Sequence, residues 1–189
     1  TRAYWASSPQ SSQGVPESLT SGDMQYWGVW WGKAPFSKYS EIIPRFMSEF
    51  GFQSFPEITS VEKYTLPQDH NIYSDVMKSH QRSSIGNETI EEYMLREYKK
   101  PGDFVSYLYL SHLLQAKGIG YGIEAQRQNR NRCMGSLYWQ INDCWPVASW
   151  SGIDYYGKWK ALHYAAKKAF DNFLISYKST DNGTDVYVI

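Results

Sequence analysis

The 189-residue sequence predicts an α/β fold with crossover helices and a parallel sheet. Three apolar stretches read as buried strands: Asp23–Trp31, the Pro44–Pro56 segment and Cys133–Ile141. Two helical patterns, Asn87 to about Tyr98 and Asp103 onward, lie between the second and third of them. The length is sufficient for a real core, since a chain of this size buries roughly 70% of its unfolded surface.

The first stretch expected to be regular is a short strand, Ala3 to Ala6, which runs into a Ser/Gln/Gly/Pro-rich loop to Gly22. The abrupt start, with no Met and no leader, reads as a segment cut from something longer. Asp23–Trp31 is dense in tryptophan and is followed by a Gly-Lys-Ala-Pro turn, and Ser40–Ile43 allows one helical turn before Pro44. Residues 57–86 read mostly as loop with short helical pieces. Asn87 is the expected N-cap of the next helix, with Glu91 and Glu92 near its positive end, and Pro101-Gly102 breaks it. Asp103 caps a helix whose apolar stripe is Phe104, Tyr107, Leu108, Ser111 and Leu114. Gly118, Gly120 and Gly122 are expected to interrupt or kink it, with Glu124–Arg132 as its solvated end. An amphipathic helix, about Lys158 to Phe173, presents Trp159, Leu162, Ala166, Ala169 and Phe170 on one face. From Leu174 the pattern turns to polar alternation with an Asp181-Asn182-Gly183 turn, as at the start of a β domain.

Composition narrows the function. Aromatics are 17% of residues, with 8 Trp and 16 Tyr, an excess that suits cores, sugar-stacking platforms and protein interfaces. Lys+Arg and Asp+Glu balance at 19 each with no basic run, which argues against nucleic acid and anionic membrane surfaces as partners. No apolar stretch approaches the ~20 residues of a membrane-spanning helix. Cys133 and Cys144 are too few for a disulfide scaffold and read as free thiols. His70 and His80 read as hydrogen-bonded structural residues; no set of ligands has zinc spacing, and no cofactor is expected.

One carboxylate, Glu49, stands inside the run Pro44-Arg-Phe-Met-Ser-Glu-Phe-Gly-Phe-Gln-Ser-Phe-Pro56. Burying it ionised costs several kcal/mol unless partners hold it. Either it forms a structural ion pair with Arg45 or another cation, or it is a catalytic carboxylate at a strand end. In the second case Gly51 lets the backbone turn away. The other strands end in Trp27–Trp31 and in Trp139-Gln140 with Asn142-Asp143. Each tryptophan alone reads as core. A carboxylate with indoles and amides is, however, the chemistry of carbohydrate hydrolysis: the apolar sugar face stacks on Trp, and Asn, Gln and Asp bond its hydroxyls.

At these residues the sequence resembles the β-mannosidases of glycoside hydrolase family two. The motifs are Arg2–Pro9, Gly22–Trp27, Arg45–Ser54 and Leu137–Pro146, and the similarity extends through Gly152–Lys160. The resemblance implies a retaining (β/α)8 enzyme that removes terminal non-reducing β-D-mannose. It places 1–173 as the second half of the TIM barrel, strands five to eight with their helices, and 174–189 as a linker and the start of a β-sandwich. Glu49 matches the nucleophile, and Trp139 the aromatic residue lining the sugar subsite. Trp27, Gln140, Asn142 and Asp143 are the other expected substrate contacts. Gln25 departs from the pattern, since relatives often carry His there. The family's acid lies in an Asn-Glu pair upstream of the nucleophile; Asn87-Glu88 lies downstream and is not that acid. The segment alone is therefore expected to be nearly inactive. Its open strand edges favour association with the remainder of its own enzyme or with a second copy. The resemblance favours a periplasmic or otherwise extracytoplasmic bacterial protein over a lysosomal one. The alternatives are an exo-β-glucosaminidase, a β-galactosidase, a carbohydrate-binding module indifferent to Glu49→Gln, or a structural domain with an aromatic interface.

Overall fold

The computed structural model describes residues 4–10 and 19–189. In chain order they form β1 (Met24–Gln25), a 3-10 turn (Phe36–Ser40), β2 (Met47–Glu49), α1 (Ile58–Val61), a second 3-10 turn (Pro67–Asp69), α2 (Asp75–Ser79), α3 (Gly86–Glu97), α4 (Phe104–Gln128), α5 (Ala161–Ala169), β3 (Ile175–Thr180) and β4 (Gly183–Val188). They divide into two units. The first holds the chain up to Phe50, Tyr121–Tyr138 and Lys168–Ile189; the second holds Gly51–Gly120 and Trp139–Lys167.

In the first unit β1 pairs in parallel with β2, and a single parallel bridge joins Met47 of β2 to Ser136. Parallel pairing is thus present, but in strands much shorter than the apolar runs suggest. Asp23–Trp31 yields only two strand residues, because the Trp31 amide turns back onto the Trp27 carbonyl at 2.9 Å. Cys133–Ile141 contributes one bridge and is not a buried strand: Met134, Leu137 and Ile141 are all exposed. Of the Ala3–Ala6 strand, Ala3 lies outside the described residues, and Tyr4–Ala6 have no regular structure. Tyr39 anchors the core of this unit, with its ring edge-on to Phe50 at 5.2 Å and stacked on Phe36 at 6.5 Å. The antiparallel β3–β4 hairpin turns through Asp181-Asn182. Ser176 ties it to α4, donating to Glu124 at 2.6 Å and accepting from Gln128 at 2.8 Å.

The second unit packs Phe52 on Tyr93 (4.8 Å) and Phe55 on Tyr107 (5.9 Å). Asn87 is not the N-cap of α3. Its buried amide donates to the Ile72 carbonyl at 2.5 Å and accepts from Gln81 at 2.7 Å, and the helix begins at Gly86 instead. Asp103 does cap α4, accepting from the Ser106 amide at 2.8 Å and the Ser106 hydroxyl at 2.7 Å. The expected helical turn at Ser40–Ile43 falls earlier, at Phe36–Ser40, and the last helix is shorter than Lys158–Phe173. No helix among the described residues is long and apolar enough to cross a membrane.

Helix α4 does not break at its glycines; it runs 25 residues, and Ala125 and Gln126 of the expected solvated end are buried. In the first unit a Cβ on Gly122 would lie 2.7 Å from the Phe50 ring and 3.3 Å from Tyr39, so the missing side chain is what lets the rings approach. In the second, a Cβ on Gly120 would meet only the Ala165 methyl at 3.8 Å. The two positions should therefore respond with opposite signs. Gly122→Val should destabilise by about 2 kcal/mol through overpacking, and Gly120→Ala should stabilise by about 0.5–1 kcal/mol through helix propensity. Urea unfolding of the two variants measures both.

Candidate active site

Glu49 ends β2, where a register slip makes β1 and β2 irregular: Met24 pairs with Met47, but Gln25 pairs with Glu49. Ser48 is the extra residue, and its hydroxyl donates to Asp23 at 2.6 Å. The slip also brings the Glu49 carbonyl to the Tyr26 amide at 2.7 Å. One residue further, the Trp27 indole N–H donates to Glu49 Oε2 at 3.2 Å. The structure thus brings Trp27 and Glu49 together. Among the described residues no ion pair joins Glu49 to Arg45, whose side chain is exposed. Gln25 reaches the Ser8 carbonyl at 3.3 Å.

Asp23 is the buried carboxylate beside this strand. Burial alone would raise its pKa. Hydrogen bonds from Ser48, from Ser8 (2.5 Å) and from the Gln10 amide (3.0 Å) outweigh that and hold it below its usual value. Asp23 therefore stays ionised and fixes the loop that carries Ser8. Sequence reading passed over it, although Gly22-Asp23 stands in one of the quoted motifs.

The second unit holds the other expected contacts in the stretch Trp139–Asp143. The Trp139–Gln140 peptide is cis. Trp139 is 43% exposed, and Asn142 is exposed. Gln140 donates to the Asn142 carbonyl at 2.8 Å. Asp143 faces inward instead, accepting from the Ser149 hydroxyl at 2.7 Å and the Ser151 hydroxyl at 2.5 Å. Its oxygens organise the loop. Lys160 is fully buried nearby, with Nζ 3.2 Å from the Ser54 carbonyl and 3.3 Å from that of Ser149. Among the described residues no group of His, Cys, Asp and Glu is arranged to hold a metal.

No protein-family model matches the chain. Among known proteins, β-mannosidase B of Aspergillus niger is 30% identical over 174 residues, 89% of this chain and 20% of that protein. β-Mannosidase B of Aspergillus terreus is 29% identical over 181 residues, 93% of this chain and 21% of that protein. The crystal structure of the β-D-mannosidase from Dictyoglomus thermophilum matches with a TM-score of 0.89 and 36% identity, over 92% of this chain and 22% of that one. Over about nine-tenths of its length the chain is therefore similar to β-mannosidases, in sequence and in fold. The exo-chitosanase CsxA of Amycolatopsis orientalis, at a TM-score of 0.60 and 20% identity over 72% of this chain and 17% of that one, shares the fold. The chain spans about a fifth of the length of the curated relatives it matches.

Lys160 gives the second unit a pH signature. Burial lowers its pKa from 10.5 to about 8, opposed by the charges of Asp143 and Asp154. Above pH 8 the native state releases a proton that the unfolded chain keeps until about 10.5, so stability rises with pH across that window. Between pH 8 and 9.5 the gain should be about 2 kcal/mol, relative to a Lys160→Met variant that lacks it. Denaturant midpoints of both proteins at the two pH values measure the difference.

Proposed function

We propose that the protein carrying this chain is a retaining exo-β-mannosidase with Glu49 as its nucleophile. The observation that carries the proposal is a carboxylate at the end of a parallel strand, held by an adjacent indole N–H. In the first step Glu49 attacks the anomeric carbon as the glycosidic C–O bond breaks, giving a glycosyl ester. Water then cleaves the ester and returns the carboxylate. The Trp27 contact limits rotation of Glu49 and leaves its other oxygen, Oε1, for the sugar. Trp139 supplies an exposed apolar face for the sugar ring, and Gln140 and Asn142 supply amides for its hydroxyls.

The first step needs a carboxylic acid roughly 5–5.5 Å from the nucleophile to protonate the leaving oxygen. Asp23 is unsuited, because its donors favour the ionised form. We assign the acid to a part of the enzyme outside these 189 residues, consistent with the chain's share of its relatives' length. The same reading makes residues 1–173 the second half of a (β/α)8 barrel, supported by the parallel order β1, β2, Ser136, and makes the β3–β4 hairpin the opening of a β-sandwich.

The deciding experiment treats the full-length enzyme with 2-fluoro-β-mannosyl fluoride and maps the labelled peptide by mass. A single adduct on Glu49 is expected. Turnover of mannosides with the adduct elsewhere overturns the assignment of the nucleophile, and sugar binding with no adduct favours a binding module. In the same enzyme Trp27→Phe should lower kcat/KM about 10-fold or more by removing a hydrogen bond to a charged group. Initial rates on an aryl β-mannoside, with circular dichroism to confirm folding, check this.

A further inference from the structure

In the second unit Tyr73, Lys78, Gln81, Ser83, Asn87 and Glu88 line a cavity of about 290 Å³ between α2 and the start of α3. Nothing described so far uses it. Its polar wall is ordered from behind. The Gln81 side chain donates to Asn87 at 2.7 Å and accepts from the Ser83 amide at 3.0 Å, while Asn87 is anchored on Ile72. Gly86 makes room for this arrangement: a Cβ there would fall 2.3–2.5 Å from the Gln81 amide atoms. Ser83 is 4% exposed, and its hydroxyl has no hydrogen-bond partner among the described residues. An unpaired buried hydroxyl is costly unless a ligand supplies its partner.

The lining charges, Lys78 and Glu88, balance, so the cavity offers no net field for an ion. What remains is a mixture of hydroxyl, amide and phenol groups that donate and accept at once, which suits a polyhydroxylated ring. The cavity is also built onto the loop that carries Gln140 and Asn142. The Arg82 amide donates to the Ala148 carbonyl at 3.1 Å, and the Ala148 amide donates to the His80 carbonyl at 2.8 Å. The His80 Nδ1–H donates to the Pro146 carbonyl at 2.6 Å, with its ring stacked on Tyr64 at 4.1 Å and 6.0 Å from that of Trp145. We propose that this cavity is a second sugar subsite, which binds a unit of an oligosaccharide substrate other than the mannose released. This inference rests on the glycosidase reading above.

The test compares a β-linked mannotriose with an aryl β-mannoside, which has no second sugar, on the full-length enzyme. With Ser83→Ala, KM for mannotriose should rise about 5-fold, kcat/KM on the aryl mannoside should stay within about 2-fold, and the melting temperature should not fall. Gly86→Ala, which displaces the Gln81 amide, should give the same split between substrates. Unchanged mannotriose kinetics in both variants overturn the subsite. So does a parallel loss on both substrates, or a fall in melting temperature for Ser83→Ala, since each marks a purely structural role. A wild-type enzyme inactive on both substrates overturns the glycosidase reading itself, and this is read without any variant.

Discussion

The first unit depends on the double pairing of β2. On one edge the Phe46 and Glu49 carbonyls accept from Met24 and Tyr26 at 2.9 and 2.7 Å. On the other, the Met47 amide donates to Gly135 at 3.0 Å, and its carbonyl accepts from Leu137 at 2.8 Å. A strand paired on both sides cannot slide to re-aim its side chains, because any shift breaks both ladders. The slip at Ser48 is therefore fixed, and with it the direction of Glu49. Pairing supplies the rigidity that a three-residue strand would not have alone.

Polar groups play the corresponding part in the second unit. Residues 139–153 have almost no regular structure, so their backbone needs other partners. Gln115 of α4 reaches the Phe52 carbonyl at 2.8 Å and the Ser151 carbonyl at 3.2 Å, and accepts from the Ser54 hydroxyl at 2.7 Å. Lys160 draws the Ser54 and Ser149 carbonyls together from the other direction. Burying a lysine is costly. The Ser54 and Ser149 carbonyls each accept from the other's backbone amide, at 3.2 and 3.0 Å, and the buried ammonium adds a second donor to both. An ordered loop without a ladder is the result, and Trp139 emerges from it.

Glu49 was legible in sequence because a lone carboxylate in an apolar run is conspicuous, and its place at a strand end followed from Gly51 and Pro56 beyond it. Trp27 stood out only through the family resemblance, as a sugar contact and not as the partner of Glu49, since nothing in Asp23–Trp31 singles it out among the aromatics. Strand length was overestimated for a physical reason: the aromatic runs are buried by ring packing, as at Tyr39 and Phe50, and not by extended pairing. The glycines of α4 read in sequence as breakers, yet close approach to Phe50 outweighs their poor helix propensity at Gly122. The cavity beside α3 left no trace at all. Gln81, Ser83 and Asn87 follow no period, and only the folded backbone gathers them.

Hydrogen-bond saturation distinguishes Glu49 from the other inward carboxylates. Asp23 accepts from two hydroxyls and an amide, Asp143 from two hydroxyls, and Asp154 from the Ser60 hydroxyl at 2.5 Å and the Tyr156 and Lys158 amides at 2.9 Å. Each of these oxygen pairs is committed to holding a loop, and a carboxylate so occupied is a poor nucleophile, because attack would first break the bonds that hold it. Glu49 accepts one side-chain hydrogen bond among the described residues, and that bond falls on one oxygen only. The indole orients the group without exhausting its lone pairs. A nucleophile has to satisfy both requirements: fixed in direction by its backbone and one donor, and still free to form a bond.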